Sequence, residues 1–215
     1  MVKNTGKKRL RPCHTHAPTL AWGFVFDDQS LLAGNPFFRD AGNLWRLAGP
    51  GYFDSGELSW RPVATLSHLL EALATGGPHA SAGHAVNVAL HAAAAACAAA
   101  VLTQCGASRA WALAVGLTVA WHPGPSEAVA VIANREDPLV LLCAGAAAWA
   151  AARAVADPAR QVRWTGVSLL AGAAALGSKE SALLLPFVIV AVARRAGASG
   201  RTAAGLGAAH AAHAA

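Results

Sequence analysis

Two adjacent carboxylates follow a short apolar run near the start of the chain, in the stretch GFVFDDQSLLAGNP at positions 23–36. At the end of a membrane segment, Asp27 or Asp28 can act as a general base on an acceptor hydroxyl, or help to hold a metal ion. The alternative interpretation is a helix cap or a solvated loop edge. The pair alone does not decide between these interpretations.

Three polar side chains recur along one face of a later apolar segment. His84, Asn87 and His91 are spaced i, i+3 and i+7, which places them on the same side of a helix. Polar side chains in such a segment should face the interior of a helix bundle, where they can form hydrogen bonds between helices. Phosphate contact near the outer end of the helix is a second interpretation for His84. No further ligand suggests a metal or haem site.

The stretch HPGPSEAVAVIANRED, at 122–137, contains a second group of ionisable residues. Ser126 is a candidate cap for a helix that begins near Glu127, and Arg135 would then follow about two turns later. An arginine at membrane depth can bind a lipid phosphate through paired donors. An internal ion pair with Glu127 or Asp137 is equally compatible with the spacing.

The triplet Ser178-Lys179-Glu180 interrupts an apolar stretch at 165–193. A lysine there is costly unless it is paired or lies at a surface. Lys179 bound to a phosphate and oriented by Glu180 is one interpretation, and a plain loop between two helices is the other.

The composition predicts the membrane elements that must position these residues. The chain has 215 residues, of which 55% are hydrophobic and 13% are charged, whereas soluble domains carry about 25% charged residues. We therefore predict an all-α, polytopic membrane helix bundle. Its apolar segments lie at 82–102, 110–121, 138–156, 165–177 and 181–193.

Four regions follow from this pattern. Residues 1–26 form a basic N-terminus and the stub of a first helix, and 27–81 form an extracytoplasmic loop with the acidic pair. Within that loop, 62–75 predicts an amphipathic helix lying in the membrane interface, with Val63, Leu66, Leu69, Leu70 and Leu73 on one face. The bundle occupies 82–195, and the alanine- and glycine-rich segment 196–215 is predicted to be disordered.

Lysine and arginine positions predict the orientation. With the N-terminus in the cytoplasm, twelve of these residues lie inside and five outside, which satisfies the positive-inside rule. The five outside are Arg39, Arg46, Arg61, Arg135 and Lys179. This topology brings Asp27–Asp28, the 122–127 turn, Arg135–Asp137 and the 178–180 triplet to one outer side.

The net charge of +6 does not indicate nucleic-acid binding, because the basic residues flank apolar segments and form no single stripe. The four cysteines include no CxxC pair, so we predict neither a disulfide framework nor a zinc site.

Six short motifs, taken in order, resemble a known family. They are FDDQSLLAGNP, LWR, SWRPV, GHAVNVALH, HPGPSEAVAVIANRED and SKESALLLP. This set resembles the N-terminal membrane part of the transmembrane-and-tetratricopeptide-repeat O-mannosyltransferases and their bacterial relatives. These proteins are GT-C glycosyltransferases that use sugars carried on polyprenyl phosphate. The resemblance runs from about Phe26 to Pro186. The family's later helices and repeats do not occur here, which predicts a fragment or a chain that works with a partner.

The resemblance implies a role for each matching residue. One of Asp27 and Asp28 would be the catalytic base. Arg135 and Lys179, with His84 and His122, would hold the phosphate of the donor. The supporting residues would be Arg61, Asn87, Glu127, Asp137 and Glu180. No metal ligand is assigned, and these motifs leave a divalent metal cofactor open without indicating one.

The implied function is transfer of a sugar, such as mannose, from a polyprenyl-phosphate donor to a hydroxyl of a protein or glycan acceptor. The implied location is the bacterial inner membrane, with membrane lipid as a further partner and the reaction on the extracytoplasmic side. The alternative is a non-catalytic membrane scaffold, a transporter piece or a degenerate remnant.

Overall fold

The computed structural model describes residues 16–212, and these residues form helices and no β-strand, which confirms the all-α prediction. The α-helices are α1 (Asp28–Leu31), α2 (Pro62–Thr75), α3 (Ala80–Gln104), α4 (Arg109–Trp121), α5 (Ser126–Ala130), α6 (Glu136–Ala156), α7 (Gln161–Leu176), α8 (Leu185–Arg195) and α9 (Gly200–Ala211). Short 3-10 helices cover Ala17–Ala21, Pro36–Arg39, Ala41–Ala48, Pro50–Ser55, Ile132–Arg135, Pro158–Arg160 and Glu180–Leu184. The predicted basic N-terminus lies mostly outside the described residues.

Two helical stretches are long and apolar enough to cross a membrane, judged by length and composition. They are Ala80–Gln104, which is α3, and Ile132–Ala156, in which α6 continues a 3-10 turn. Each has 25 residues, equivalent to about 37 Å of α-helix, and the apolar core of a bilayer is about 30 Å thick. The helices predicted at 82–102 and 138–156 are therefore confirmed, while a chain that crosses the membrane several times stays a prediction.

Helices α3 and α6 run side by side in the same direction. Gly83 faces Ile132 near their beginnings, and farther along, a Cβ placed on Gly145 would lie 3.1 Å from the Sγ atom of Cys97. The buried face of α6 includes many alanines, among them Ala147, Ala148, Ala150, Ala151, Ala152 and Ala154. Small side chains allow helices to approach closely, and close packing drives helix association where lipid supplies no hydrophobic force.

Helix α7 returns antiparallel to α6, and the two are joined by a hydrogen bond of 2.8 Å from Ser168 Oγ to the carbonyl oxygen of Ala147. Helices α8 and α9 complete this side of the bundle. The prediction of a disordered tail over 196–215 was wrong for the part that the structure describes, because α9 packs against α8. Gly207 lies directly against Val190, and Ala203 and Leu206 are buried, so the small residues that suggested disorder permit close contact instead.

Helix α4 runs back along α3, because the ring Nε2 of His91 lies 3.1 Å from the carbonyl oxygen of Val119. Its 13 residues measure about 20 Å, less than the thickness of the bilayer core. Its outward face leaves Trp111, Leu113, Leu117 and Trp121 more than half exposed. The helix at 110–121 is confirmed, but it is too short to cross a bilayer core.

The chain after α4 differs from its prediction in two respects. Pro125, and not Ser126, is the residue that caps α5, and no side chain forms a cap hydrogen bond there. Val131 is extended, with φ −92° and ψ 117°, and it ends α5 after one turn. Arg135 therefore does not lie two turns along the same helix, and its side chain points in another direction.

The loop before the bundle folds into a compact unit of 3-10 turns over α2. Its buried core contains Phe37, Phe38, Tyr52 and Leu69, and it includes Ile132 from the bundle. The helix predicted at 62–75 is confirmed, but its apolar face is rotated from the expected one. Thr65, His68, Leu69 and Ala72 are buried, whereas Leu70 is 52% exposed. Packing against the core of the loop therefore determines which face of α2 is buried.

Acidic residues are concentrated at one end of the bundle, where several pair with cations, and the other end is mainly basic. The acidic end is where α3 and α6 begin and α7 ends, and it contains Asp27, Asp28, Glu57, Glu71, Glu136, Asp137 and Glu180. The basic end is where α3 and α6 finish, and it contains Arg109, Arg153, Arg160, Arg163, Arg194, Arg195, Arg201 and one acid, Asp157. This separation follows from the alternating directions of the helices.

Candidate active site

The two adjacent aspartates have different environments. Asp28 is fully buried, and its carboxylate accepts hydrogen bonds from the backbone amides of Val25, at 3.0 Å, and Ala133, at 2.7 Å. It thereby fastens the segment before α1 to the segment before α6, from which it is separated by 105 positions. Asp28 is thus placed to hold the backbone of the site together, and in this conformation it is not exposed to solvent.

Asp27 is exposed, and its side chain forms no cap hydrogen bond with α1. It lines a pocket of about 490 Å³ at the acidic end. Phe26, directly before it, has φ +46° and a side chain that is 83% exposed. A bulky residue in the left-handed region is a strained conformation, of a kind that concentrates at functional sites. Asp27 is therefore the member of the pair that an acceptor can reach.

Residues from three separate parts of the chain line the same pocket. Besides Asp27, the residues that line the pocket include Arg61, Glu57, Glu136, Ser59 and Asn134. Asn134 belongs to the 3-10 turn that Asp28 holds through the amide of Ala133. The buried Asp28 thus holds part of the lining of the pocket that the exposed Asp27 also lines.

An ion network occupies the edge of the pocket. Arg61 binds Glu180 through two parallel hydrogen bonds, with Nε–Oε2 at 3.2 Å and Nη2–Oε1 at 3.0 Å, and binds Glu136 through Nη1 at 2.9 Å. Lys179 binds Asp137 at 2.5 Å and lies 3.9 Å from Glu136. This network brings together four residues that the sequence selected, namely Arg61, Asp137, Lys179 and Glu180. It has three carboxylates for two cations.

Arg135 lies behind the pocket in a second, buried network. Its Nε donates to Asn87 at 2.8 Å, its Nη1 donates to Ser67 at 3.1 Å, and its Nη2 forms an ion pair with Glu71 on α2. Neither ion-pair partner considered from the spacing, Glu127 or Asp137, is the one observed. Arg135 has no exposed surface, so in this conformation it orients the chain beside Asn134 and does not face the pocket.

The polar face of α3 is buried as predicted. Asn87 donates to the carbonyl oxygen of Val131 at 3.1 Å while it accepts from Arg135. His84 Nε2 lies 3.3 Å from the carbonyl oxygen of Gly23, and its Nδ1 has no hydrogen-bond partner among the described residues. His84 therefore helps to hold the segment that leads to the aspartates, and it is not part of the ion network.

The turn after α4 stays apart from the ion network. His122 is exposed, and its Nδ1 accepts a hydrogen bond of 3.0 Å from the amide of Gly124. Glu127 is exposed in the single turn of α5. Within residues 16–212 neither side chain forms an ion pair. Because α4 runs antiparallel to α3, this turn lies at the acidic end with the other three features, but outside the ion network.

Glu57 is a pocket residue that the sequence did not single out. Burial raises the pKa of its carboxyl group, the nearby Glu136 carboxylate raises it further, and Arg61 opposes this rise. It follows Gly56, whose φ of +90° turns the chain into the pocket. No periodic pattern marks this position, although a glycine followed by an acid in an aromatic-rich loop was a signal available in the sequence.

Within the described part of the chain, no group of three or more histidine, cysteine, aspartate or glutamate residues is placed to hold an ion.

Comparison with known proteins relates this region to two proteins of Drosophila melanogaster. The chain is 37% identical over 183 residues to the protein O-mannosyl-transferase Tmtc2, a match that covers 77% of this chain and 19% of that protein. It is also 37% identical over 131 residues to the protein O-mannosyl-transferase Tmtc1, covering 58% of this chain and 15% of that protein. These matches support a relationship between this chain and the Tmtc proteins.

The similarity to Tmtc2 and Tmtc1 agrees with the resemblance expected from the six motifs. The chain spans less than a fifth of the length of these Tmtc relatives. No family model matches the sequence, and no solved structure matches it.

Proposed function

We propose that this chain forms the catalytic end of a membrane glycosyltransferase that moves a sugar, mannose in the names of its relatives, from a polyprenyl-phosphate donor to a hydroxyl acceptor. The observation that carries the proposal is the meeting of an accessible carboxylate, Asp27, with the cations Arg61 and Lys179 at one pocket and its edge. The similarity to O-mannosyl-transferases supports a glycosyl-transfer function for this constellation.

In our proposal Asp27 is the general base. In the proposed reaction it accepts the proton of the acceptor hydroxyl while that oxygen attacks the anomeric carbon of the sugar. The bond between the anomeric carbon and the phosphate oxygen breaks, and its electron pair leaves with polyprenyl phosphate. The inverted product and the free lipid phosphate balance the reaction without a further reactant.

In our proposal Arg61 and Lys179 bind the phosphate of the donor. In the free protein Arg61 is paired with Glu180, whose side chain is 63% exposed, so a phosphate can replace that carboxylate on the same guanidinium fork. A guanidinium binds two oxygens of a phosphate as readily as two oxygens of a carboxylate. Cations beside the phosphate stabilise the charge that develops on the leaving group.

Buried residues hold these groups in place. Asp28 and Arg135 fix the 3-10 turn that contains Asn134, and Asn87 and His84 fasten α3 to the segments on either side of the pocket. In our proposal these residues are positioning residues. Direct phosphate contact by Arg135, His84 or His122 stays a prediction that this proposal does not use.

The proposed location of the site is the outer end of the bundle. Helices long enough to span a membrane begin at the acidic end, where a donor embedded in the bilayer can meet an acceptor in water. The arginine-rich basic end would then face the cytoplasm, in agreement with the positive-inside rule. The bacterial inner membrane and a cytoplasmic N-terminus remain parts of this proposal.

The test measures sugar transfer in membranes that contain the whole chain, supplied with mannosyl-phosphoryl-polyprenol labelled in the sugar and with a peptide rich in serine and threonine. Asp27→Asn should lower transfer by about 100-fold or more, because a positioned base contributes that factor. The matched control is Asp54→Asn, an exposed acid of the same loop that pairs with Arg46, and it should retain full transfer.

Two outcomes would contradict the proposal. Equal activity of Asp27→Asn and the unsubstituted chain would remove Asp27 from the reaction. Donor binding without any transfer above that of membranes lacking the chain would support the alternative of a non-catalytic membrane scaffold.

A further inference from the structure

We infer that the turn between α6 and α7 binds the phosphate group of an anionic phospholipid at the basic end of the bundle. The inference rests on the passage of α3 and α6 through a membrane and does not depend on sugar transfer. The site consists of Arg153, Arg163, Trp164 and Trp149, which we name the arginine–tryptophan cluster.

Two guanidinium groups share one indole ring in this cluster. The Cζ atom of Arg153 lies 5.3 Å from the centre of the Trp164 ring, and that of Arg163 lies 5.7 Å from it. Trp149 packs edge-on against Trp164, with ring centres 5.4 Å apart. Cation–π contacts attract each arginine to the ring but leave its positive charge in place. Two positive charges are thus held close together.

No carboxylate among the described residues neutralises this pair. Asp157, the one acid at the basic end, lies 3.8 Å from Arg160 and forms no ion pair with either arginine of the cluster. Two like charges beside one ring repel each other unless an anion lies between them. The missing counter-charge indicates an external anion.

Two buried donors in the cluster have no acceptor. Arg153 Nε and Trp164 Nε1 are both buried, and neither forms a hydrogen bond within residues 16–212. A buried donor without a partner costs free energy, so native structures rarely leave one unexplained. A phosphate presents several oxygens and can accept from both N–H groups while it neutralises both arginines.

The beginning of α7 favours the same ligand. This 16-residue helix begins at Gln161 without a side-chain cap, and the Gln161 amide donates to the carbonyl oxygen of Pro158. The helix dipole contributes partial positive charge at the turn. Arg163 belongs to this first turn. Helix geometry and side-chain charge therefore both favour an anion at one place.

The surroundings favour a lipid over a free phosphate. Val162 is 88% exposed and Leu170 is 74% exposed on the outward face of α7, which offers an apolar surface for acyl chains beside the cluster. Arg153 lies within one turn of the end of the spanning stretch Ile132–Ala156, at the depth where lipid headgroups begin. Tryptophans are typical of that depth.

The experiment measures lipid retention by the whole chain, purified in detergent and mixed with phosphatidylglycerol or phosphatidylcholine, by native mass spectrometry. We expect retention of phosphatidylglycerol and little retention of phosphatidylcholine. Arg153→Gln combined with Arg163→Gln should lower phosphatidylglycerol retention by about tenfold, the effect of losing one charge-assisted hydrogen bond or more. The control, Arg109→Gln combined with Arg194→Gln, removes the same charge from the same end and should retain the lipid.

Two single variants complete the experiment. Arg163→Gln alone changes an exposed side chain, so it keeps the fold and should still lower retention. Trp164→Phe removes the indole N–H and should lower it as well, with helicity checked by circular dichroism. Equal loss in the control double variant, or no loss in Arg163→Gln, would overturn the site. Displacement of the lipid by millimolar inorganic phosphate would overturn the lipid as its ligand.

Discussion

Arg61 and Glu180 are 119 positions apart in the sequence, yet they face each other through two parallel hydrogen bonds of 3.2 and 3.0 Å at the edge of the pocket. Arg61 comes from the loop before the bundle, and Glu180 follows α7. The pair therefore joins the loop to the last third of the chain at the edge of the pocket that Asp27 lines.

Arg61→Lys should weaken donor binding, because lysine keeps the charge but loses the planar fork that binds two oxygens. We expect the KM for the polyprenyl-phosphate donor to rise by about tenfold, with a smaller change in kcat. The matched control is Arg46→Lys, an exposed loop arginine paired with Asp54. An unchanged KM in Arg61→Lys would remove Arg61 from phosphate binding.

Asp28→Asn should destabilise the fold, whereas Asp27→Asn should not. The amide keeps one oxygen and presents an NH₂ group to the second backbone N–H, so one buried donor loses its acceptor. The expected cost is about 1–3 kcal/mol of unfolding free energy, against less than about 0.5 kcal/mol for the exposed Asp27. Denaturant unfolding in detergent, followed by tryptophan fluorescence, measures both variants. Equal costs would contradict the division of roles between the two aspartates.

The buried pair Arg135–Glu71 should behave as a coupled unit. Arg135→Gln should cost about 3–5 kcal/mol, because it leaves the Glu71 carboxylate without its cation in a buried site. Glu71→Gln combined with Arg135→Gln should cost less than Arg135→Gln alone. A double-mutant cycle measures this coupling, and additive costs would show that the two side chains do not depend on each other.

Glu57 should make stability fall as pH rises. Burial, with the Glu136 carboxylate, raises the pKa of Glu57 above 4.5, its ordinary value. The native state therefore binds its proton more tightly than the unfolded state, and stability declines from about pH 4.5 up to the raised pKa. Glu57→Gln should be more stable than the unsubstituted chain at pH 7, with a smaller difference at pH 4. Unfolding free energies measured at both pH values test this, and a gap that widens at pH 4 would contradict the sign.

Two glycines of α9 test whether this helix is part of the bundle. Gly207→Ala places a methyl group against Val190 and should cost about 1–3 kcal/mol. Gly205→Ala meets no atom within 4 Å and should stabilise the helix by about 0.5–1 kcal/mol. Thermal unfolding of the two variants should therefore shift in opposite directions. Two similar shifts would mean that α9 does not pack as described.

Hydrophobic periodicity and motif order predicted the parts of this fold that depend on local sequence. The long apolar stretches of α3 and α6 and the buried polar face of α3 followed from spacing alone. Partner choice did not follow, because Arg135 pairs with Glu71 only after Val131 ends α5 and redirects the chain. The packing of α9 was also missed, since alanine and glycine are compatible with disorder as well as with close helix contact.

The difference between Asp27 and Asp28 could not be predicted from the sequence for a related reason. Neighbouring carboxylates are chemically identical, and their roles separate only when the amide of Ala133, 105 positions away, approaches one of them. Likewise, the raised pKa of Glu57 depends on burial by residues distant in the chain.

The long sequence separation of the Arg61–Glu180 pair has a consequence for biosynthesis. Arg61 leaves the ribosome before both of its ion-pair partners, and a growing chain contains Glu136 well before it contains Glu180. The ion network becomes complete only after α7 has emerged and reversed direction. We therefore expect ribosome-arrested chains that stop before position 180 to have a looser, protease-sensitive loop before the bundle, which tightens once translation passes this point.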